Sequence, residues 1–346
     1  MHVDDTISAN QALRLIHRGT ALHWTGDYHN AKQLLAALGR RLPAPRSGSF
    51  HDQRQQQADR VRVLNALLVP MTNHQVELRR APDVSKACAE AYGPPPDTHR
   101  DSSTSGSVDV RSPRERWVPL REPSTRWVPL RELLGVIGAH QLRVRGVYVP
   151  ALGERIHPHY GVFAPTRSEY ADLVAQHPLP FGSTAFDLGT GTGVLAAILS
   201  RRGIPQVIAT DNNPRAAACA RENLERLQVN AEVQETDLFP PDQADLIVCN
   251  PPWIPATPLT LLDQAVYDED SRMLRAFLAG VRDHLKPGGE VWLLLSDLAE
   301  HLALRSRAEL LSLIRAGGLQ VAGRVDITPR HPRARNQEVT SLWHLK

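Results

Sequence analysis

Cysteine is scarce in this chain, with three residues among 346. Cys88, Cys219 and Cys249 lie far apart and form no CxxC pair, which argues against a disulfide framework and against a cysteine-based zinc site. We therefore expect reduced core thiols in a cytoplasmic protein. Among the 15 histidines only His157 and His159 form a close pair, with a proline between them, so we expect no bound metal.

Long apolar runs and a strong charge of either sign are also missing. No stretch approaches the roughly 18–20 uninterrupted apolar residues that a membrane-spanning helix needs. Residues 1–5 have neither the basic nor the apolar region of a secretory signal. The net charge of +3 permits nucleic-acid binding without arguing for it, and 42% hydrophobic residues are enough for at least one full core.

Residues 1–91 have apolar side chains at helical spacing and predict a small helical domain. The apolar positions fall into three groups, namely Leu13, Ile16, Ala21 and Leu22; Ala31, Leu34, Leu35 and Leu38; and Val61, Val63, Leu64, Leu67 and Leu68. The second helix should end near Gly39 and the third before Pro70. We find no catalytic pattern in this domain.

Residues 92–125 are rich in proline, serine and glycine, which predicts a flexible linker. The heptad RWVPLRE occurs at 116–122 and again at 126–132, as part of a ten-residue tandem duplication. Two short copies are too few for a repeat architecture. We expect the second copy to lead into a helix within a connecting segment at 126–160, and the first copy to be redundant.

Residues 161–346 alternate strands and helices, which predicts an α/β fold with a doubly wound, mostly parallel sheet. The seven candidate strands are residues 184–188, 206–210, 230–234, 245–249, 290–296, 319–327 and 338–345. A basic loop at 330–335 joins the last two strands and is too short for a helical crossover. The final strand should therefore run antiparallel.

A glycine-rich turn follows the first of these strands. Gly189, Thr190, Gly191 and Gly193 form a GxGxG pattern, in which the backbone can approach a ligand closely and helix N–H groups can point at it. The pattern differs from the dinucleotide fingerprint GxGxxG, because position 194 is valine.

Acidic residues lie at or just after the ends of three successive strands, where open α/β sheets bind ligands. Asp187 should face the amino end of a methionine group. Asp211, followed by Asn212, can accept hydrogen bonds from both hydroxyls of a ribose. Asp237 can accept from an adenine amino group, with Leu238 flanking the ring. These positions predict S-adenosylmethionine (SAM) as the cofactor and not NAD.

The motif Asn250-Pro251-Pro252-Trp253 follows the fourth strand and suits a planar nitrogen acceptor. An amide or exocyclic amino nitrogen is a poor nucleophile, because its lone pair is delocalised. The Asn250 side-chain oxygen and the Pro251 carbonyl can hold its two N–H groups, and consecutive prolines keep these acceptors in place. Trp253 offers a flat face for stacking.

These motifs resemble those of the class I SAM-dependent methyltransferases with an Asn-Pro-Pro-aromatic motif, and most closely the HemK-like protein-glutamine N5-methyltransferases. The resemblance covers roughly residues 155–346 and implies a Rossmann-like seven-stranded methyltransferase fold. Residues 161–169 are similar to the stretch that those enzymes place over SAM, which implies cofactor contacts for Phe163, Pro165 and Thr166, and for Asn250. Trp253 stands where the glutamine enzymes have tyrosine.

Four functions remain open at this point. The first is N-methylation of a protein side-chain amide, that of a glutamine, with the N-terminal domain helping to choose the partner. The second is adenine N6-methylation of a nucleic acid, which the basic loop at 330–335 supports. The third is N-methylation of a small molecule. The fourth, a non-catalytic scaffold with the same fold, is disfavoured because it would not need both Asp211 and Asn250.

Overall fold

The computed structural model describes residues 1–43, 48–95, 125–260, 262–329 and 338–346. It divides the chain into two compact units, Met1–His140 and Gln141–Lys346. Within the described residues, no helix combines the length and the apolar character that crossing a membrane requires.

The first unit combines helices with a five-stranded sheet. Its strands are β1 (His2–Val3), β2 (Leu22–Trp24), β3 (Leu67–Thr72), β4 (Gln75–Val76) and β5 (Arg126–Pro129). Its helices are α1 (Ala9–His17), α2 (Tyr28–Arg41), α3 (Phe50–Asn65) and α4 (Ser85–Tyr92), and α5 (Leu130–Arg145) begins in this unit. The sheet order is β1-β2-β3-β4, with β5 also paired to β3. Strands β1, β2 and β3 are mutually parallel, whereas β4 and β5 run antiparallel to β3.

The predicted helices of residues 1–91 are present, but strands that the sequence pattern did not predict lie beside them. Leu22 and Leu67, which we assigned to helical faces, pair with each other in β2 and β3 and are fully buried. Pro70 lies inside β3 instead of after a helix. Strands of two or three residues, such as β1, β2 and β4, are too short to show the alternation that identifies a strand, and the short apolar run of β3 cannot be told from part of a helix by its pattern.

The second copy of the heptad forms β5 and the start of α5, which confirms the predicted helix there. Most of the predicted linker (residues 96–124), including the first copy, lies outside the described residues. The boundary between the two units lies inside α5, between His140 and Gln141, within the connecting segment predicted at 126–160. The division arises because β5 completes the sheet of the first unit, whereas Val149 and Ile156 are buried in the core of the second.

The described residues of the second unit form nine strands and six complete helices. Its strands are β6 (Val147–Val149), β7 (Glu154–Ile156), β8 (Thr184–Leu188), β9 (Gln206–Asp211), β10 (Glu232–Glu235), β11 (Ala244–Cys249), β12 (Leu285–Ser296), β13 (Val321–Ile327) and β14 (Thr340–Leu345). Its helices are α6 (Glu169–Gln176), α7 (Val194–Arg201), α8 (Pro214–Arg226), α9 (Arg272–Gly280), α10 (Leu298–His301) and α11 (Arg307–Ala316). Short 3₁₀ turns occupy Leu262–Ala265, Glu269–Ser271 and Val281–His284.

The main sheet of this unit has the order β10-β9-β8-β11-β12-β14-β13. Its strands are parallel except β14, which pairs antiparallel with both β12 and β13. All seven predicted strands and the antiparallel last strand are therefore confirmed. The carboxyl ends of β8, β9, β10 and β11 meet at one edge, which is where the acidic residues and the Asn-Pro-Pro-Trp motif lie.

The core of the second unit lies on both faces of this sheet, as β11 shows. Leu246 and Val248 belong to an apolar cluster that includes α7, whereas Ile247 and Cys249 belong to a second cluster that includes α9. Successive strand side chains point to opposite faces, so a strand with four consecutive apolar residues must be covered on both sides. Cys88, Cys219 and Cys249 are buried free thiols.

Candidate functional site

The loop at residues 189–193, here called the glycine loop, connects β8 to α7. Its three glycines have φ values of 70°, 57° and 83°, in the left-handed region that favours glycine. A Cβ added at Gly193 would lie 3.3 Å from the Cα of Ala220 in α8, whereas one added at Gly191 would meet nothing within 4 Å. The loop therefore packs tightly at its end and is open at its centre, where a ligand could approach the backbone.

Asp187 lies in β8 and is only 1% exposed. Its Oδ2 accepts hydrogen bonds from Thr190 Oγ1 at 2.6 Å and from the Ala196 backbone N–H at 2.9 Å. Burial raises the pKa of Asp187 to about 6, although both hydrogen bonds act to lower it. The carboxylate thus orients the glycine loop and the start of α7, and its desolvated charge would be stabilised by a cationic ligand group.

Asp211 ends β9 and links the glycine loop to the next helix. Its Oδ2 accepts from the Gly191 N–H at 3.0 Å, and its Oδ1 accepts from the Asn213 N–H at 2.9 Å. Burial raises the pKa of this carboxyl too. Because each carboxylate oxygen has two lone pairs, one on each atom remains for the two hydroxyls of a ribose.

The segment after β10 places the third acid at the same edge. Asn212 Nδ2 donates to Asp237 Oδ1 at 3.3 Å, which joins two predicted cofactor residues from neighbouring strands. Leu238 has φ of 56°, an unfavourable value for a leucine. The buried Thr210 hydroxyl donates to the Leu238 carbonyl at 2.6 Å and so holds this strained turn. Backbone strain retained in this way is common at functional sites.

The Asn-Pro-Pro-Trp motif leaves the sheet at the end of β11, beside β8. Trp253 Nε1 donates to Asn250 Oδ1 at 2.9 Å, so the indole fixes the orientation of the asparagine amide. One lone pair of Oδ1 is used in this contact. The other can accept a hydrogen bond from an N–H of the nitrogen that receives the methyl group. Pro251 is buried, which keeps its carbonyl in a defined place.

Arg167 packs its guanidinium over the Trp253 ring, with 5.5 Å between the guanidinium carbon and the ring centroid. It also pairs with Glu169 at 2.8 Å and with the buried Glu338 at 2.7 Å. Desolvation acts to lower the pKa of Arg167, but these hydrogen bonds raise it overall. The charge of this arginine is therefore held in place, and one face of the indole is covered by it.

The structure brings most of the predicted site residues to one edge of the sheet. Asp187, the glycine loop, Asp211, Asn212, Asp237, Leu238 and the Asn-Pro-Pro-Trp motif all lie at or directly after the carboxyl ends of β8–β11. Of the residues implied by the family resemblance, Phe163 packs against the apolar cluster that includes α7, Pro165 is buried, and Thr166 is exposed.

Sequence reasoning missed three residues that support the site, namely Thr210, Arg167 and Glu338. Arg167 directly follows the predicted Thr166, so its position was an available signal. Glu338 is 171 residues further along the chain, and only the pairing of β14 with β12 brings it close.

The residues present fit SAM. A buried carboxylate at Asp187 suits a cationic amino acid group, Asp211 suits a ribose diol, and the open centre of the glycine loop admits close backbone contact. Among the described residues, no cluster of three or more histidine, cysteine, aspartate or glutamate side chains could hold a metal ion.

Replacing Asp211 with alanine is expected to weaken SAM binding at least tenfold. Each charge-assisted hydrogen bond contributes about 1.5–3 kcal/mol, and the variant also loses the acceptor that holds Gly191. Isothermal titration calorimetry with SAM checks this. Asp242→Ala, which removes an exposed carboxylate after β10, is the matched control and should bind SAM like the wild type. Unchanged affinity in Asp211→Ala would contradict the assignment.

Comparison with known proteins gives a family match over the same region. The family model of the methyltransferase small domain matches residues 154–308. The release factor glutamine methyltransferase of Cereibacter sphaeroides is 36% identical over 166 residues, which cover 43% of this chain and 56% of that protein. That of Geobacter sulfurreducens is 33% identical over 132 residues, covering 34% of this chain and 45% of that protein.

A relative named for a different acceptor matches at the same identity over a shorter stretch. The tRNA1(Val) (adenine(37)-N6)-methyltransferase of Cytophaga hutchinsonii is 36% identical over 127 residues, covering 34% of this chain and 53% of that protein. The chain thus spans about half the length of these curated relatives. The matched region, which carries the glycine loop and Asn250, is a class I methyltransferase domain of the HemK group, and its cofactor is S-adenosylmethionine.

Proposed function

We propose that the chain transfers a methyl group from SAM to the side-chain amide nitrogen of a glutamine in a protein. The observation that carries this proposal is the placement of Asn250 Oδ1 at the exit of β11, oriented at 2.9 Å by the Trp253 indole. An oxygen fixed in this way is an acceptor for the N–H of a planar nitrogen. Two of the relatives above are named for glutamine methylation.

When bound, SAM supplies an electrophilic methyl group on a cationic sulfur. The residues of this chain then have to orient the acceptor nitrogen and limit its delocalisation. Asn250 Oδ1 and the Pro251 carbonyl would each accept one N–H of the amide, which fixes the nitrogen and favours a pyramidal geometry. No strong general base is required, since the proton can leave after transfer.

Trp253 has two roles in this scheme. Its N–H orients Asn250, and the part of its half-buried ring that is exposed offers an aromatic surface for a planar amide. We further propose that the first unit helps to select the acceptor protein and that the protein acts in the cytoplasm, which the buried free thiols support.

The second candidate is N6-methylation of adenine in a nucleic acid. An exocyclic amino group presents the same two N–H donors to Asn250 and Pro251. The adenine-modifying relative, 36% identical over 127 residues, favours it.

The acceptor class can be tested by label transfer. Wild-type chain is incubated with methyl-tritiated SAM and a cell lysate that was pretreated with nuclease or with protease. We expect label in a protein fraction that resists nuclease and is lost with protease. Label that survives protease and is lost with nuclease would instead establish the second candidate.

Replacing Trp253 with phenylalanine keeps an aromatic face and removes the donor to Asn250. We expect kcat to fall roughly tenfold, because a neutral hydrogen bond contributes about 0.5–1.5 kcal/mol, while the KM for the acceptor stays within about threefold. Trp253→Ala, which also removes the stacking surface, should raise KM in addition. Steady-state methyl transfer measures both quantities. A kcat for Trp253→Phe equal to the wild-type value would show that the indole N–H does not position Asn250.

A further inference from the structure

A cavity of about 600 Å³ lies immediately beyond the Asn-Pro-Pro-Trp motif. Its lining includes Pro255, Glu269, Arg272, Arg275, Arg305 and Glu309. Pro255 is the second residue after Trp253, so the cavity adjoins the place proposed for the acceptor amide. None of the cofactor residues described above lines it.

The wall of this cavity is tied to the motif by backbone hydrogen bonds. The Ile254 N–H donates to the Val266 carbonyl at 3.0 Å, and the Asp268 N–H donates to the Ile254 carbonyl at 2.9 Å. The Asp268 carboxylate accepts from the Met273 N–H at 2.9 Å, at the start of α9. A group bound in the cavity is therefore positioned relative to Asn250 by a continuous, hydrogen-bonded segment.

Arg305 is the most unusual group in the lining, because the residue is only 5% exposed. Its Nη1 donates to the Ser271 hydroxyl at 3.0 Å. Among the described residues, no carboxylate lies within ion-pair distance of its guanidinium. Burial lowers the pKa of Arg305 despite the attraction of several more distant carboxylates, so its charge is incompletely compensated.

Ser271, the hydrogen-bond partner of Arg305, lies in a strained turn that other contacts hold in place. Asp270 and Ser271 both have φ of 54°, a left-handed conformation unusual for two successive non-glycine residues. Arg275 Nε donates to the Asp270 carbonyl at 2.9 Å and fixes the turn, while Arg275 Nη2 pairs with Glu309 at 3.2 Å. Arg275 is thus already paired, in contrast to Arg305.

We propose that this cavity binds a carboxylate of the acceptor polypeptide, carried by a residue close in sequence to the glutamine that is methylated. The inference rests on the proposed function. A buried guanidinium without an ion pair is matched by a planar carboxylate, which can accept two of its N–H groups. Three acids in the lining, Glu269, Asp270 and Glu309, balance its three arginines. One added carboxylate can therefore be held beside Arg305, whereas the repeated phosphates of a nucleic acid would bring an excess of negative charge.

The test uses the full chain with S-adenosylhomocysteine and pairs of fluorescein-labelled peptides. Each peptide contains one glutamine, and a pair differs by aspartate or asparagine at one position within three residues of it. Fluorescence anisotropy gives the dissociation constants, and methyl transfer from SAM is measured separately on the same peptides. We expect at least one position at which aspartate improves binding about tenfold, as one charge-assisted contact would.

Arg305→Met should abolish this preference for aspartate, whereas Arg226→Met, which alters a half-exposed arginine in α8, should retain it. The melting temperature and the SAM affinity of each variant report whether it is folded. If Arg305→Met does not fold, Arg272→Gln at the exposed rim is the second variant, with an expected loss of about threefold in the aspartate preference.

The outcomes separate this inference from the proposed function. Glutamine methylation with equal binding of aspartate and asparagine peptides at every position would overturn the carboxylate site and leave the function standing. An aspartate preference that depends on Arg305, without methyl transfer to any glutamine, would support the site and contradict the function. Arg305-dependent binding of a short oligoadenylate, with no aspartate preference, would overturn the inference in favour of phosphate.

Discussion

Asn250→Ala is expected to reduce the rate of methyl transfer by roughly 10²–10³-fold, equivalent to about 3–4 kcal/mol. The variant loses one of the two acceptors that orient the reacting nitrogen and also leaves the Trp253 indole N–H without its partner. The affinity for SAM should stay within about threefold, because the glycine loop, Asp187 and Asp211 remain in place and Asn250 contributes at most one cofactor contact. Single-turnover transfer and calorimetric titration of SAM, performed side by side, measure the two effects.

The matched control for this prediction is Asn230→Ala. Asn230 is an exposed asparagine that precedes β10, at the opposite edge of the sheet. It should transfer methyl at the wild-type rate. If Asn250→Ala also did so, the planar-nitrogen mechanism would be wrong, and an oxygen, sulfur or carbon acceptor activated by other groups would have to be considered.

Asp187→Asn should make the protein more stable at pH 8 while weakening its affinity for SAM. A carboxyl whose pKa rises from 3.8 to about 6 on folding contributes stability that is fully present below pH 3.8 and lost as the pH rises through 6. The loss amounts to about 3 kcal/mol of the free energy of unfolding. Asparagine keeps an oxygen for the Thr190 hydroxyl and the Ala196 N–H and is never charged, so it avoids this loss.

Denaturant unfolding at pH 8 and pH 4 tests the stability effect, which should be large at pH 8 and small at pH 4. Asp245→Asn is a control that should change the free energy of unfolding at pH 8 in the opposite direction. Desolvation acts to raise the pKa of Asp245, but hydrogen bonds from Ser183, Thr184 and Lys286 outweigh it and lower the pKa. Its contribution is present above pH 3.8 and lost as the pH falls through the lowered pKa, so removing the charge should destabilise the protein at pH 8.

The Asp187 carboxylate also predicts how the affinity for SAM depends on pH. A cationic amino acid group binds the ionised form of Asp187 best, so affinity should rise as the pH increases through about 6. In Asp187→Asn this rise should be absent and the affinity at pH 8 roughly tenfold lower. A parallel pH profile for the two proteins would show that Asp187 does not face the cofactor's charge.

The main sheet could be predicted because each strand is an apolar run set off by turn residues. β8 was predicted at residues 184–188 with its observed bounds, since Gly182 and Gly189 flank it. β12 begins at Leu285, five residues before its predicted start. Lys286, Gly288 and Gly289 interrupt the apolar pattern there, but the backbone pairing continues, with Ala244 beside Leu285. Backbone pairing does not require apolar side chains, so the pattern missed it.

The site residues that lie at strand ends could be predicted from the order of the strands. The side-chain contacts between distant parts of the chain could not. Asp187, Asp211 and Asn250 each lie at or next to a strand end, and parallel strands gather such residues at one edge. The hydrogen bond from Trp253 to Asn250 depends on a side-chain rotamer, which a sequence motif does not specify. The pairing of Arg167 with Glu338 depends on the final antiparallel strand, and the burial of Arg305 depends on the packing around the turn at Ser271.

The chemical position of the transferred methyl group tests the central claim most directly. Protein labelled with methyl-tritiated SAM is purified and hydrolysed in strong acid, which cleaves side-chain amides. If the methyl group is on an amide nitrogen, the label is released as volatile methylamine, and the amount released should fall at least 100-fold when Asn250→Ala replaces the wild-type chain. Label released as methanol, or retained on an amino acid or a nucleobase after hydrolysis, would contradict methylation of a side-chain amide.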